Sequence, residues 1–532
     1  MVLREAISIV TQKRLRMLLC VAALALLFGL YTWRISQNPR GFYLDESATA
    51  YNAYLVSRTG AGEFGPRFPV LFQQFAVTNA TYINPLAIYL LAIVFRFVPP
   101  SIPVARMSAA LWMFVACLLL GVLAKRISGQ RKIGIIVAGS ALLTPWFFEL
   151  GRLVFDAHLS AFTVVVFLLG AYRLQSKTIW EWRDIAAVAG GLALVTYGYF
   201  AGRVLAPLFA LGLLLLATTK RHVIDIFKIW AAYALTLVPL ILFNRSHPGV
   251  ITKRLPEVSY MRTGVPWRQT AYEFVRRYLE DQSLTALLIT GDYHPRHHVQ
   301  GSSGPMLFAT FVLAMAGLLL VIAHRWRDPW WRFVLYGLAV SVLPSAITIE
   351  PFHQVRLMAY PVFLFILAIP ALEWLLARDE PKQSPYTRSQ KTHSAGSSRV
   401  ALVSHGPSRA IRLGFLGILL VTTIAQAIDF QFSFYREGPN RVYEFDTLYK
   451  PAYDAAVARP ERPIYLEDGH WGPAYMNAYW YATVEGRPIS EFVRLSDGAK
   501  PPTGAIVLSS NSDCQNCDVI QKNGVYELYK AK

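Results

Sequence analysis

The apolar run Leu18–Trp33, LLCVAALALLFGLYTW, leads within a few residues to Gly41-Phe42-Tyr43-Leu44-Asp45-Glu46-Ser47. Runs of this kind recur along the chain and read as a multi-span helical membrane protein. Two adjacent carboxylates at the mouth of a membrane helix are costly to hold near lipid, and such residues point to a site more than to scaffold. Asp45 and Glu46 are therefore candidate reactive groups at the outer rim of a polytopic membrane enzyme. They also fit a solvated helix start, Asp45 as N-cap and Glu46 in the first turn, where carboxylates suit the helix dipole. The two readings are compatible, because a capping residue can also be catalytic.

The 532 residues are 54% hydrophobic and only 16% charged, where soluble domains carry about 25% charged residues. A net charge of +19 would point to nucleic acid in a soluble protein. Here many Lys and Arg sit in short loops between apolar runs, where they set orientation. With no basic stripe interleaved with aromatics outside those loops, nucleic acid is not an expected partner. The basic start (Arg4, Lys13, Arg14, Arg16) has no small-x-small cleavage site after its apolar run, so it reads as a retained anchor. Cys20 and Cys117 lie in apolar runs and read as packing residues. Cys514 and Cys517 form a lone C-x-x-C, which fits a local disulfide in an oxidising compartment better than a redox or metal motif.

Basic clusters mark the cytoplasmic side. Arg4 to Arg16 lie inside, so Asp45 and Glu46 emerge outside. Lys125-Arg126 and Arg131-Lys132 return inside, which leaves one crossing between, Val104–Ala124. Ile83–Val98, about sixteen residues against the roughly 20 of a span, reads as an interfacial or re-entrant helix. Parity then carries the chain out over Ile133–Leu150, back over His158–Leu174, and onward by alternate crossings to Leu413–Ile428. The fold class expected is an all-α polytopic membrane protein of about eleven transmembrane helices, N-terminus inside, with a small extracytoplasmic α/β domain at the C-terminus. The membrane part is residues 1–428, with outer loops 34–103 and 244–304 and a cytoplasmic linker at 378–412, rich in Ser, Lys, Arg, Gln and Pro. Residues 429–532 form the outer domain. In it strand-like pieces (Ile464–Leu466, Ala505–Leu508, Val525–Tyr529) alternate with helix-like ones (Tyr449–Ala458, Pro473–Val484). Trp267–Leu279 is amphipathic and suits a helix lying on the membrane surface.

The same parity gathers a polar set on the outer face: the acids Asp45, Glu46, Glu149 and Asp156, and the cations Arg152, Arg203, Arg296 and Arg356, with His294, His297, His298 and His353 nearby. Carboxylates and fixed arginines at a membrane surface suit a reaction that releases a lipid-linked phosphate. Arginine binds phosphate oxygens bidentately and stays charged. It can also stabilise charge as a sugar–phosphate bond breaks. A carboxylate near the anomeric carbon can take a proton from an acceptor hydroxyl. Each residue also has a plainer role open to it. Arg152 and Asp156 can be a structural i,i+4 pair. Arg203 can anchor a turn at the headgroups, and Glu149 can be a solvated helix-end acid. The histidines of 294–298 read as polar loop residues more than as a metal site. Asn79-Ala80-Thr81 and Asn244-Arg245-Ser246 fit the glycosylation acceptor pattern.

The basic N-terminus, one span, the outer Asp45-Glu46 pair, and Asn84-Pro85-Leu86 opening a short apolar helix together resemble the polytopic GT-C glycosyltransferases. That family includes the protein O-mannosyltransferases and the lipid A aminoarabinose transferases. Arg152-Leu153-Val154-Phe155-Asp156 is similar to the family's second acidic position, and the resemblance covers roughly residues 1–430. It implies a hexosyl- or pentosyltransferase with a polyprenyl-phosphate-sugar donor, a lipid, glycan or protein acceptor, and transfer on the extracytoplasmic side, with no cofactor. Asp45 would be the base or acceptor-orienting acid, Glu46 its support, and Asp156 a second acid lining the cavity. Arg152, Arg203, Arg296 and Arg356 would be the candidates for donor phosphate. Asn84-Pro85-Leu86 stands where the mannosyltransferases place a His before paired prolines, which turns the resemblance toward the bacterial branch. Other classes open on the sequence are a transporter or flippase of a lipid-linked saccharide and a ligase-type transferase using a diphosphate donor. Charges gathered at one face, without two related halves, favour the enzyme.

Overall fold

The computed structural model describes residues 2–76, 81–262, 264–377, 407–469, 472–495, 499–511, 514 and 517–532, with backbone alone for 2–13. The expected linker, as far as residue 406, and Asn79-Ala80 lie outside the described residues. In chain order the first helices are α1 (Val2–Tyr31), α2 (Leu44–Thr59), α3 (Pro85–Phe97), α4 (Ile102–Ser128), α5 (Arg131–Leu143), α6 (Pro145–Gly151), α7 (Leu159–Gln175), α8 (Trp182–Gly198), α9 (Gly202–Gly212) and α10 (Lys220–Ser246). There follow α11 (Leu255–Val258), α12 (Trp267–Glu280), α13 (Phe308–Leu320), α14 (Pro329–Ser341), α15 (Leu343–Ala346), α16 (Tyr360–Leu376), α17 (Arg409–Glu437), α18 (Tyr449–Val457) and α19 (Tyr475–Glu485).

Among the described residues six helices are long and apolar enough to cross a membrane: α1, α4, α7, α10, α13 and α17, some with a short turn added. The pair α5–α6 makes a seventh if it is one span bent by 58°. The bend has a local cause. Thr144 is extended (ψ 123°) because it precedes Pro145, which disfavours the helical region for its neighbour. Every apolar run expected to cross does contain a helix, but α8, α9, α14 and α16 are shorter than a full span. The chain is thus a multi-pass membrane protein, with six or seven helices meeting span length rather than about eleven. On α1, Leu18 and Leu26 are 61% and 66% exposed, so this helix is solvated by lipid rather than by protein. The 13 residues of α3 reach about 20 Å, too short for a hydrocarbon core of about 30 Å. α12 buries none of its residues, and Trp267, Val275 and Leu279 stand exposed on it.

Beyond α17, which runs through residue 428 to Glu437, lies a five-stranded sheet. Two tiny strands occur earlier, β1 (Phe72–Gln73) and β2 (Tyr82–Ile83), paired antiparallel. The sheet is made of β3 (Ile464–Glu467), β4 (Phe492–Arg494), β5 (Ile506–Ser509), β6 (Cys517–Asn523) and β7 (Tyr526–Ala531), in the order β4-β3-β5-β7-β6. β3 runs parallel to β4 and β5, while β7 is antiparallel to β5 and β6. Cys514 and Cys517 are joined as a disulfide. This part does not stand apart. Its helices α18 and α19 share one apolar core with α2 and α3, in which Phe42 stacks on Trp480 at 5.2 Å. Polar contacts reinforce the joint. The Leu44 amide donates to Asp446 (2.9 Å), and Ser47 Oγ donates to Asn477 Oδ1 (2.5 Å). Gly41, at φ +78°, lets the chain pass against the 445–447 segment, where a Cβ would collide with the Phe445 carbonyl.

Candidate active site

Asp45 and Glu46 are neighbours on α2, and a helix turns about 100° per residue, so their side chains part. Glu46 turns inward. Its two oxygens take hydrogen bonds from Arg106 Nε (3.0 Å), Arg106 Nη2 (2.7 Å), the Val154 amide (3.1 Å) and the Tyr43 amide (3.1 Å). Arg106 spends its other protons on the carbonyls of Pro39, Ile35 and Gly41. Both side chains are fully buried. Glu46 is therefore a strut that fastens the start of α2 to α4 and to residue 154, and it is not part of the lining of the cavity that Asp45 enters.

Asp45 turns the other way, into a cavity of about 350 Å3 that it shares with Asp156. Its Oδ1 accepts from Gln74 Nε2 at 2.7 Å. Burial raises the Asp45 carboxyl above its ordinary value, and Arg296 pulls it partly back. Asp156 opens the short turn before α7 and takes a backbone hydrogen bond from Asn84. Asn84, the residue before α3, also lines the cavity and accepts from Arg203.

The cations divide. Arg296 and Arg356 line the cavity, and so does Arg254, which the sequence reading left unmarked in its long outer loop. Arg296 lies over the Tyr43 ring, 3.6 Å from its centroid, with Nη2 3.4 Å from Glu444 Oε2. Arg356 pairs with Glu350 at 2.8 Å and donates to Thr348. Arg254 is half exposed and, among the described residues, paired only with Glu257 at 3.0 Å. Arg203 stands behind Asn84 as a second layer. Arg152, expected among the phosphate candidates, lies outside the cavity lining. It is fully buried, donates to the carbonyls of Tyr31 and Trp33 (both 2.7 Å), and lies over the rings of Phe148 and Phe434. With its donors spent on the end of α1, it has no reach to a phosphate and makes no pair with Asp156. Glu149 is buried too, accepting from His298 (2.6 Å) and the Val299 amide (2.8 Å) rather than being solvated.

The rest of the wall is the segment 350–356 with 292–297. Glu350 receives His294 Nε2 (3.2 Å) as well as Arg356, and these hold its carboxyl down at about 2, with His294 the larger influence. The cavity therefore sets Asp45, Asp156 and Gln74 in one space with three arginines. Such a space can hold an anion, orient a hydroxyl against a carboxylate, and exclude bulk water.

Solved structures share this architecture over nearly its whole length. The apo crystal structure of ArnT from Cupriavidus metallidurans matches 97% of this chain and 98% of its own, with a TM-score of 0.54 at 13% identity. ArnT from the same organism bound to undecaprenyl phosphate matches 96% of this chain and 97% of its own, at 0.52 and 10%. The archaeal oligosaccharyltransferase AglB from Archaeoglobus fulgidus matches 88% of this chain and 63% of its own, at 0.48 and 12%. No protein-family profile and no curated protein matches the chain. The likeness is one of fold.

Proposed function

We propose, for a chain built on the GT-C fold of ArnT, a membrane glycosyltransferase that moves a sugar from a polyprenyl-phosphate donor to an acceptor on the extracytoplasmic face. The observation that carries this reading is the single cavity holding Asp45, Asp156, Arg254, Arg296 and Arg356. Arg254 and Arg356, with Arg296 beside them, hold the donor phosphate and take up charge as it leaves. Asp45 receives the acceptor proton, or orients an acceptor that is already anionic, and Asp156 steadies the sugar side. The likeness to ArnT bound to undecaprenyl phosphate supports the donor class. The basic start at Arg4 to Arg16, inside by the positive-inside rule, supports the outward-facing site.

Arg152 and Arg203, whose donors are turned to structural partners, are left out of the phosphate site. The outer domain, residues 429–532, closes the back of α2 and positions Asp45 through it. The test is purified protein incubated with a panel of polyprenyl-phosphate sugars. Sugar transfer or release by the wild type, lost in Asp45→Asn, is the expected result. Full turnover in that variant refutes the assignment.

A further inference from the structure

We propose that Asp292, His297 and His353 form a site for a divalent transition metal of the zinc type, in the wall of the cavity. The proposal stands on its own geometry and does not depend on glycosyl transfer. One ligating atom from each residue can be chosen so that all lie within 4.8 Å of one another. All three residues are buried: Asp292 is 0% exposed, and His297 and His353 are each 8% exposed. The His297 and His353 rings sit 4.7 Å apart, and His297 Nδ1 is 2.9 Å from Asp292 Oδ2.

The second observation concerns His353 alone. Among the described residues its Nδ1 is buried and has no hydrogen-bond partner, and both amide atoms of the adjoining Gln354 are in the same state. Native proteins seldom leave buried polar atoms unpaired, and a bound ion is one of the ordinary reasons when they do. His353 Nε2 lies 3.4 Å from Glu350 Oε2, so a carboxylate stands on the side of the ring away from Nδ1. Metal-binding histidines characteristically donate their second N–H to a carboxylate. Asp292 is held as well, accepting from the amides of His294 (2.9 Å) and Gln354 (3.0 Å).

Two imidazoles and one carboxylate suit zinc better than calcium or magnesium, which prefer all-oxygen shells. Bonds of about 2 Å need ligand atoms roughly 3.3 Å apart, so the ion draws the three inward by about an ångström. Ligation through His297 Nδ1, the nitrogen facing Asp292, would put that ring's N–H on Nε2. The metal would then clamp the 292–297 segment to 353, holding Glu350 and through it Arg356. A fourth position is left toward the cavity, which His297 and His353 both line.

The test uses the full chain, purified in detergent and stripped with a chelator. Zn2+ is then titrated in by calorimetry and Co2+ by its visible absorption, which reports tetrahedral nitrogen–oxygen ligation directly. The expected result is one equivalent per chain and a Co2+ band. Binding should fall at least about 100-fold in His353→Gln and His297→Gln, and roughly 10–100-fold in Glu350→Gln. Asp45→Asn and Asp156→Asn should bind as the wild type does. No Co2+ band in the wild type, with Zn2+ uptake well below one equivalent, overturns the site, and this arm needs no variant to fold. Uptake that survives both histidine changes, or that is lost instead with Asp45 and Asp156, overturns it equally.

Discussion

Glu46→Gln separates two adjacent acids that the sequence presents as a pair. The change keeps shape but leaves Arg106 as a buried charge with no counter-ion. Removing one member of a buried, hydrogen-bonded pair costs about 3–5 kcal/mol. For a chain of 532 residues the melting midpoint should fall by roughly 3–5 °C. Asp45→Asn has no such cost. Asparagine keeps the oxygen that accepts from Gln74, and it removes a charge whose burial already raises its pKa. Its midpoint should stay within about a degree of the wild type, or rise, while transfer falls by about 10²–10⁴-fold. Thermal unfolding in detergent, followed by the fluorescence of the 13 tryptophans, measures the first quantity. Transfer from a polyprenyl-phosphate sugar measures the second. Adding Arg106→Met to Glu46→Gln should recover part of the lost stability, because an apolar pair can replace a buried ionic one. A Glu46→Gln variant that melts like the wild type yet loses turnover as completely as Asp45→Asn would refute this division of roles. Glu46 would then belong to the reaction and not to the frame.

Arg254→Ala should weaken the donor by roughly 10–100-fold, the worth of a charge-assisted contact, with an unchanged melt, since the residue is half exposed. Unaltered KM for the donor would remove Arg254 from the phosphate site. Arg152→Met should do the reverse, lowering the melting midpoint while KM stays in place; a raised KM at an unchanged midpoint would restore it as a phosphate ligand. Burial lifts Glu63 from 4.5 to about 7, against the pull of Tyr475 and Arg494. The folded state thus keeps a proton that the unfolded chain releases near 4.5. The stabilisation from this group is full below that pH and is lost as pH rises toward 7. Glu63→Gln should flatten the fall of the midpoint across that window, and a variant whose pH profile matches the wild type contradicts this.

The features legible in the sequence were those set by short-range pattern. Apolar runs located the helices, and alternation placed β3, β5, β7, α18 and α19 within a residue or two. β4 and β6 were missed because Phe492–Arg494 is too short to alternate visibly and Cys517–Asn523 is mostly polar. Helix lengths were less legible, because composition does not register where a helix breaks: Ile133–Leu150 reads as one run and is bent by 58° before Pro145, and α8, α9, α14 and α16 stop short of span length. In the site, orientation parity brought Asp45, Asp156, Arg296 and Arg356 to one face, and the structure puts them in one cavity. What parity does not give is the direction of a side chain. Glu46 and Arg152 carry the same charges on the same face, but each finds its partners inside the protein. Arg254 went unmarked because a single arginine in a long loop has no pattern around it. Arg106 was missed for a related reason, since an arginine in an apolar helix shows its counter-ion only in three dimensions.

The shared core of α2 with α18 and α19 places a condition on biosynthesis. The start of the helix carrying Asp45 leans on Asp446, Asn477 and Trp480, the first of them 402 residues after Leu44. The start of α2 is therefore not fixed until that distant segment has been made and brought to the same side of the membrane. A product cut short before Asp446 would carry the helices that precede it but leave α2 without the partners that fix its start, so insertion in the bilayer comes before this joint is closed.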